Sequence, residues 1–249
     1  MANVLVDDTH LTNIANAIRN KNGSSDTYKP SEMANAISNI ETGGGDTLEI
    51  ARSIIDKTIT SYSDDELTSI GAYMFYNCSK MTELNTPNVT SIGAYAFQGS
   101  KVKTMYFPKL ETAVANAFRN AKSIESLDLP NCTKLDNASV YSCTALTSIN
   151  IPKVETLVRA CLSGCTSLEY VDLPVCTTIG YQAFNLCKSL KTLVLRSETI
   201  CTLENENAIS GCSSLESIYV PDELVEEYKV ATNWSSFASQ IKPISELGE

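Results

Sequence analysis

The sequence predicts a repeat solenoid in which each unit of about 22 residues supplies one short parallel β-strand, with a helical hairpin before it and a helical cap behind it. Three observations predict this. First, one column holds a cysteine or a small residue in every unit, at Cys78, Ser100, Ala121, Cys143, Cys165, Cys187 and Cys212, spaced by 22, 21, 22, 22, 22 and 25 residues. Second, large apolar residues flank that column: Phe75, Phe97, Phe118, Val140, Leu162, Phe184 and Ile209 lie three positions before it. Met81, Leu146, Leu168, Leu190 and Leu215 lie three positions after it, with Val102 and Ile124 displaced by at most one. Third, six of the seven units close on a proline, at Pro87, Pro108, Pro130, Pro152, Pro174 and Pro221, and Arg196 is the exception.

The elements follow in chain order. Residues 8–23 place Leu11, Ile14, Ala15 and Ile18 on one helical stripe that ends at a glycine, and residues 30–40 open on a proline and repeat the stripe with Met33, Ile37 and Ile40. Two helices this short cannot bury a core of their own, so residues 1–42 read as a hairpin that docks on the solenoid or on a partner. Residues 43–47 are a glycine-rich linker without the Lys-Ser/Thr of a phosphate loop. Residues 48–221 carry the repeats.

Within each unit, alternation at period two turns Leu127 and Leu129, or Val171 and Leu173, inward and Asp128 and Asp172 outward. A proline donates no ladder hydrogen bond and so ends the strand. Before the cysteine column stand Asn77, Gly99, Asn120, Ser142, Gly164, Leu186 and Gly211, mostly residues that accept a left-handed backbone, with Leu186 the poor fit. Residues 222–249 offer Leu224, Val225, Tyr228, Trp234, Phe237 and Ile241 on what read as two short helices covering the last repeat.

Composition narrows the functional classes. A net charge of -10 without a basic stripe argues against nucleic acid, and no stretch is long and apolar enough for membrane insertion. The opening MANVLVDDTHLTN has no basic segment leading into an apolar run, so the expectation is a chain without a signal peptide, made in a reducing cytoplasm. Nine cysteines cannot all pair. Five share the turn column, Cys132, Cys176 and Cys201 share a column eleven residues earlier, and Cys161 alternates with alanines, so all nine read as small buried hydrophobes. Cys161 and Cys165 have no histidine near them, so no metal site and no cofactor is expected. His10 is the only histidine and lies outside the repeats, which rules out a Ser-His-Asp or Cys-His arrangement there. Asp128 and Asp172, two units and about 10 Å apart, have no visible source of a raised pKa, so no enzyme is expected.

The pattern IGxxAFxxCxxLxxLxLP, as in Ile92–Phe97 and Ile179–Cys187, resembles the BspA-type leucine-rich repeat over about residues 50–221. The resemblance implies a leucine-rich-repeat solenoid that binds other macromolecules at bacterial surfaces or after secretion, and it carries no catalytic motif. The string LTNIANAIRNKNGSSDTYKPSEMANAISNI also resembles a short N-terminal module of tail and other virion proteins of phages that infect Gram-positive gut bacteria. That resemblance implies attachment to a particle through residues 1–42.

The candidate binding surface is the outward ladder of Asn85, Tyr106, Asp128, Asn150, Asp172, Val194 and Tyr219, beside a second column that contains Tyr170 and Ser217. Seven units at about 4.8 Å make a ribbon roughly 30 Å long. Its tyrosines suit a protein partner or a cell-surface glycan. The function this implies is phage or prophage tail-associated recognition of a bacterial surface. The alternatives are a structural virion or scaffold subunit, or an adhesin exported as part of a longer chain.

Overall fold

The structure, a computed structural model, describes residues 52–248; the expected N-terminal hairpin and glycine-rich linker lie outside the described residues. After a helical turn over residues 52–55, the chain winds as a stacked series of short parallel strands. The strands expected from the LxL pattern are β1 (Ser61–Ser63), β3 (Glu83–Asn85), β5 (Thr104–Tyr106), β7 (Ser126–Asp128), β9 (Ser148–Asn150), β11 (Tyr170–Leu173), β13 (Thr192–Leu195) and β15 (Ser217–Val220). They pair in register within three runs, β1–β3, β5–β7–β9 and β11–β13–β15, so that Tyr106 faces Asp128 and Asn150 along one row, and Asp172 faces Val194 and Tyr219 along another.

Each unit has a second strand that the sequence reading did not anticipate. These are β2 (Ser69–Ile70), β4 (Ser91–Ile92), β6 (Thr112–Ala113), β8 (Lys134–Leu135), β10 (Thr156–Leu157), β12 (Thr178–Ile179) and β14 (Thr202–Leu203), again parallel. Each buries its second residue in the core and turns its first outward. Two residues are too short to display an alternation, which is why the one-strand expectation fell short.

Between the ladders the backbone reverses through two left-handed residues in each of six units and through Gly211 alone in the last. The expected column adopts φ between 55° at Asn77 and 76° at Gly99, and Leu186 obeys it at 61° despite its side chain. A second left-handed column lies four residues earlier, at Tyr73, Tyr95, Asn116, Ala138, Ala160 and Gln182. Hydrogen bonds to the next unit impose both: Tyr73, Phe75 and Asn77 donate to the carbonyls of Ala94, Ala96 and Gln98 at 2.9, 2.9 and 2.7 Å. Every unit is thus tied to its neighbour along the turns as well as along the strands.

The core is continuous. Phe75, Phe97 and Phe118 stack with centroids 5.5 and 5.6 Å apart, and Phe107 tilts against the last two. A fully buried phenylalanine contributes up to about 3 kcal/mol of apolar transfer, so this column dominates the first half of the solenoid. All nine cysteines are unpaired thiols, eight buried and Cys212 half-buried. They do more than fill space: the Cys143, Cys165, Cys187 and Cys212 thiols donate to the carbonyls of Phe118, Val140, Leu162 and Phe184 in the preceding unit at 3.1 to 3.2 Å.

The C-terminal segment differs from the expected pair of helices. It holds one six-residue α-helix, Val225–Val230, between 3₁₀ turns at Asp222–Leu224 and Ser235–Phe237, and then strand β16, Ile241–Pro243, which pairs with β15 and extends the first ladder. Tyr228 and Trp234 are buried and meet edge to face at 5.4 Å. The Trp234 indole N–H donates to the Cys201 carbonyl at 2.6 Å, and the Cys201 N–H donates to the Tyr228 hydroxyl at 2.7 Å. Both polar groups of one buried peptide residue are therefore satisfied by aromatic tips, a structural role for the only tryptophan.

Candidate binding surface

The first ladder presents one face to the core and one outward because strand side chains alternate. Of the sequence-predicted residues, Asn85, Tyr106, Asn150 and Tyr170 are exposed, while Asp128, Asp172 and Tyr219 are half-buried. Tyr106 stands out at 58% exposure and Tyr170 at 45%. Two expected members of the face are corrected: Val194 is fully buried and Ser217 is 6% exposed. Val194 sits in register between Asp172 and Tyr219 and shares its strand face with Arg196, so longer neighbours shield a small apolar side chain.

Polar side chains along the face bond to their neighbours one unit away. Asn85 donates to the Ser63 hydroxyl at 3.2 Å, and Asn150 donates to Asp128 at 2.7 Å. Farther along, Arg196 grips Asp172 through Nε, 3.0 Å from both carboxylate oxygens, and through Nη2 at 2.8 Å. The Tyr170 hydroxyl donates to the same carboxylate at 3.4 Å. Partial burial, together with the Asp172 charge, raises the Tyr170 pKa, and the hydrogen bond to Asp172 raises that of Arg196. On the terminal strand, Lys242 donates to Ser217 at 2.7 Å and lies 6.0 Å from the centre of the Tyr219 ring.

These contacts join Asp172, Tyr170 and Arg196 into one cluster, with Tyr219 two strands away in register. Asp128 and Asp172 are each held by a different neighbour within the ladder. Arg196 and Lys242 are the residues the sequence reading missed. Arg196 was visible as the break in the proline column, whereas Lys242 lies in a strand that no repeat pattern marks.

A second polar and aromatic surface runs along the turns. Arg119 lies 4.3 Å over the Tyr141 ring and Arg159 5.3 Å over the Tyr181 ring, each pair spanning adjacent units. Tyr73 and Tyr95 stack at 5.1 Å. Among the described residues, no group of three or more His, Cys, Asp or Glu side chains is placed to hold a metal ion, and no helix is long and apolar enough to cross a membrane.

Two stacked ladders of parallel strands, repeated at a leucine-rich period around one core, define a leucine-rich-repeat solenoid. The family model for the BspA type leucine rich repeat region matches six copies, over residues 56–169 and 111–239, and the chain belongs to that family. A leucine-rich repeat protein from Bacteroides ovatus has the same fold, with a TM-score of 0.54 at 20% identity over 76% of this chain. This chain spans 55% of that protein's length. A leucine rich cell surface protein from Faecalibacterium prausnitzii aligns at a TM-score of 0.38 and 16% identity, over 76% of this chain and 65% of its own. The pneumococcal vaccine antigen PcpA aligns at 0.42 and 17%, over 74% and 40%. No curated protein sequence matches the chain significantly.

Proposed function

We propose that this is a non-catalytic recognition protein that holds a macromolecular partner along its first strand ladder. The observation that carries the reading is a strand face, laid over one continuous core, on which Tyr106 and Tyr170 stand exposed. Repeat proteins bind through such extended surfaces, and exposed tyrosines give contact area at small entropic cost. The more specific form of the proposal is recognition of a bacterial surface by a phage or prophage tail-associated protein. It rests on the likeness of the N-terminal string to virion modules, with residues 1–42 contacting other virion proteins.

The test is binding of fluorescently labelled protein to intact Gram-positive gut bacteria and to epithelial cells, beside a variant carrying Tyr106→Ala, Tyr170→Ala and Tyr219→Ala. Strain-selective bacterial binding that the variant loses is the expected result. A folded protein that binds no cell in the panel overturns the reading. Deleting residues 1–42 is expected to leave cell binding intact while abolishing assembly with particle proteins.

A further inference from the structure

The repeat is broken at one place on the ladder face. Arg196 stands where six units have proline, and the spacing across that unit lengthens to 25 residues. Departures from an otherwise strict local rule concentrate where a chain does something besides fold. The break has produced a built arrangement. Arg196 holds Asp172 through three hydrogen bonds of 2.8 to 3.0 Å, and Tyr170 adds a fourth contact to the same carboxylate. Val194 forms an apolar floor beside them, and on its far side stand Tyr219 and Lys242, the latter anchored on Ser217.

From these observations we propose that Tyr170, Asp172, Arg196, Tyr219 and Lys242 form a subsite for a carbohydrate with vicinal hydroxyls. The proposal rests on the ladder-face reading and names the ligand class for it. Asp172 and Arg196 offset each other and Lys242, held by the neutral Ser217 hydroxyl, leaves the cluster with one net positive charge, so the fitting ligand is neutral or weakly anionic. It must both donate and accept hydrogen bonds at neighbouring points, because a guanidinium offers only donors and a carboxylate only acceptors. Adjacent sugar hydroxyls do both. The ion pair fixes both groups in advance, which removes the ordering cost that flexible charged side chains add to binding. The two tyrosines flank the polar centre, with the in-register ring about 10 Å from Asp172, the span of two strands. Val194 is already covered, so the cluster offers hydrogen-bonding groups and ring faces rather than an apolar pocket for an anchoring side chain.

The experiment uses the full chain and the bacterial panel. Cells are pretreated with periodate, which cleaves vicinal diols, or with protease. Tyr170→Ala and Arg196→Lys are compared with wild type and with Tyr181→Ala on the turn surface, and all variants are checked for an unchanged circular dichroism spectrum. The expected result is that periodate abolishes binding, protease leaves it, and Tyr170→Ala and Arg196→Lys each weaken it about tenfold or more, the effect of losing about 1.4 kcal/mol. Binding that survives periodate and is lost to protease overturns the proposal in favour of a protein partner, while the ladder reading stands. Periodate-sensitive binding that ignores both substitutions overturns the assignment of the subsite. Absence of binding to any cell defeats the ladder reading itself.

Discussion

Leu186 occupies a backbone conformation that its side chain disfavours, and replacing it tests how the turns are held. Its φ is 61°, in a column where the other units use Asn, Gly or Ser. The conformation is imposed from outside: the Leu186 N–H donates to the Ser210 carbonyl at 2.8 Å and its own carbonyl accepts from Lys188 at 2.9 Å. A left-handed residue with a Cβ costs roughly 1–2 kcal/mol. The side chain offsets little of this, since it is 46% exposed, with one methyl beside Gly211. Leu186→Asn is therefore expected to stabilise the protein by about 0.5–1 kcal/mol, because asparagine tolerates this region. Leu186→Gly gains a similar net amount, since its relief of strain is partly cancelled by about 0.5–1 kcal/mol of chain entropy. Leu186→Ala keeps the strain, loses the contact with Gly211 and gains nothing. For a chain of this size the midpoint of thermal unfolding moves by about 2–4 °C per kcal/mol, readable by circular dichroism. Stabilisation by alanine equal to that by glycine, or a loss with asparagine, would refute the argument that backbone strain is stored there.

The buried thiols make stability fall in alkali. Burial pushes Cys143, Cys161 and Cys212 up to about 12, so the folded chain keeps protons that the unfolded chain releases above about 8.5. Stability is full below that pH and declines as pH rises toward 12; urea midpoints between pH 8 and 11 check this, and Cys143→Ala is expected to shallow the decline. Trp234→Ala opens a cavity and strands the Cys201 carbonyl, at a cost of about 3–5 kcal/mol, with amide exchange accelerating first in the last two units. Trp234→Phe, which loses mainly the hydrogen bond, is expected to cost less. A Cβ at Gly93 would lie 2.4 Å from the backbone nitrogen of Ala72, so Gly93→Ala is expected to lower the melting temperature markedly, whereas the turn-surface change Tyr181→Ala leaves it nearly unchanged.

Side-chain periodicity made the first ladder, the core columns and the first left-handed column legible, because burial selects residue type at every unit. Even Leu186 obeys the rule its neighbours announce. The second left-handed column escaped because Tyr73, Ala138 and Gln182 carry no preference for it; hydrogen bonds between units enforce it after stacking. Strand β16 escaped because it joins the ladder without belonging to a repeat. On the candidate surface, outward alternation placed Tyr106 and Tyr170 correctly. It misplaced Val194, since alternation reports direction and not what neighbouring side chains cover. The pairing of Arg196 with Asp172 spans 24 positions, and only the stacking of units brings the two together.

The thiols of Cys143, Cys165, Cys187 and Cys212 are donors to the unit before, one in each of four successive turns. The buried thiols of Cys143, Cys165 and Cys187 become reachable by a small alkylating reagent only when their own turn parts from the previous one, whereas half-buried Cys212 is partly open already. Three separate labelling rates, measured in one sample by mass spectrometry with Cys212 as the reference, would therefore chart where along its length the solenoid breathes. The chain carries its own set of position-specific opening gauges, with no probe introduced.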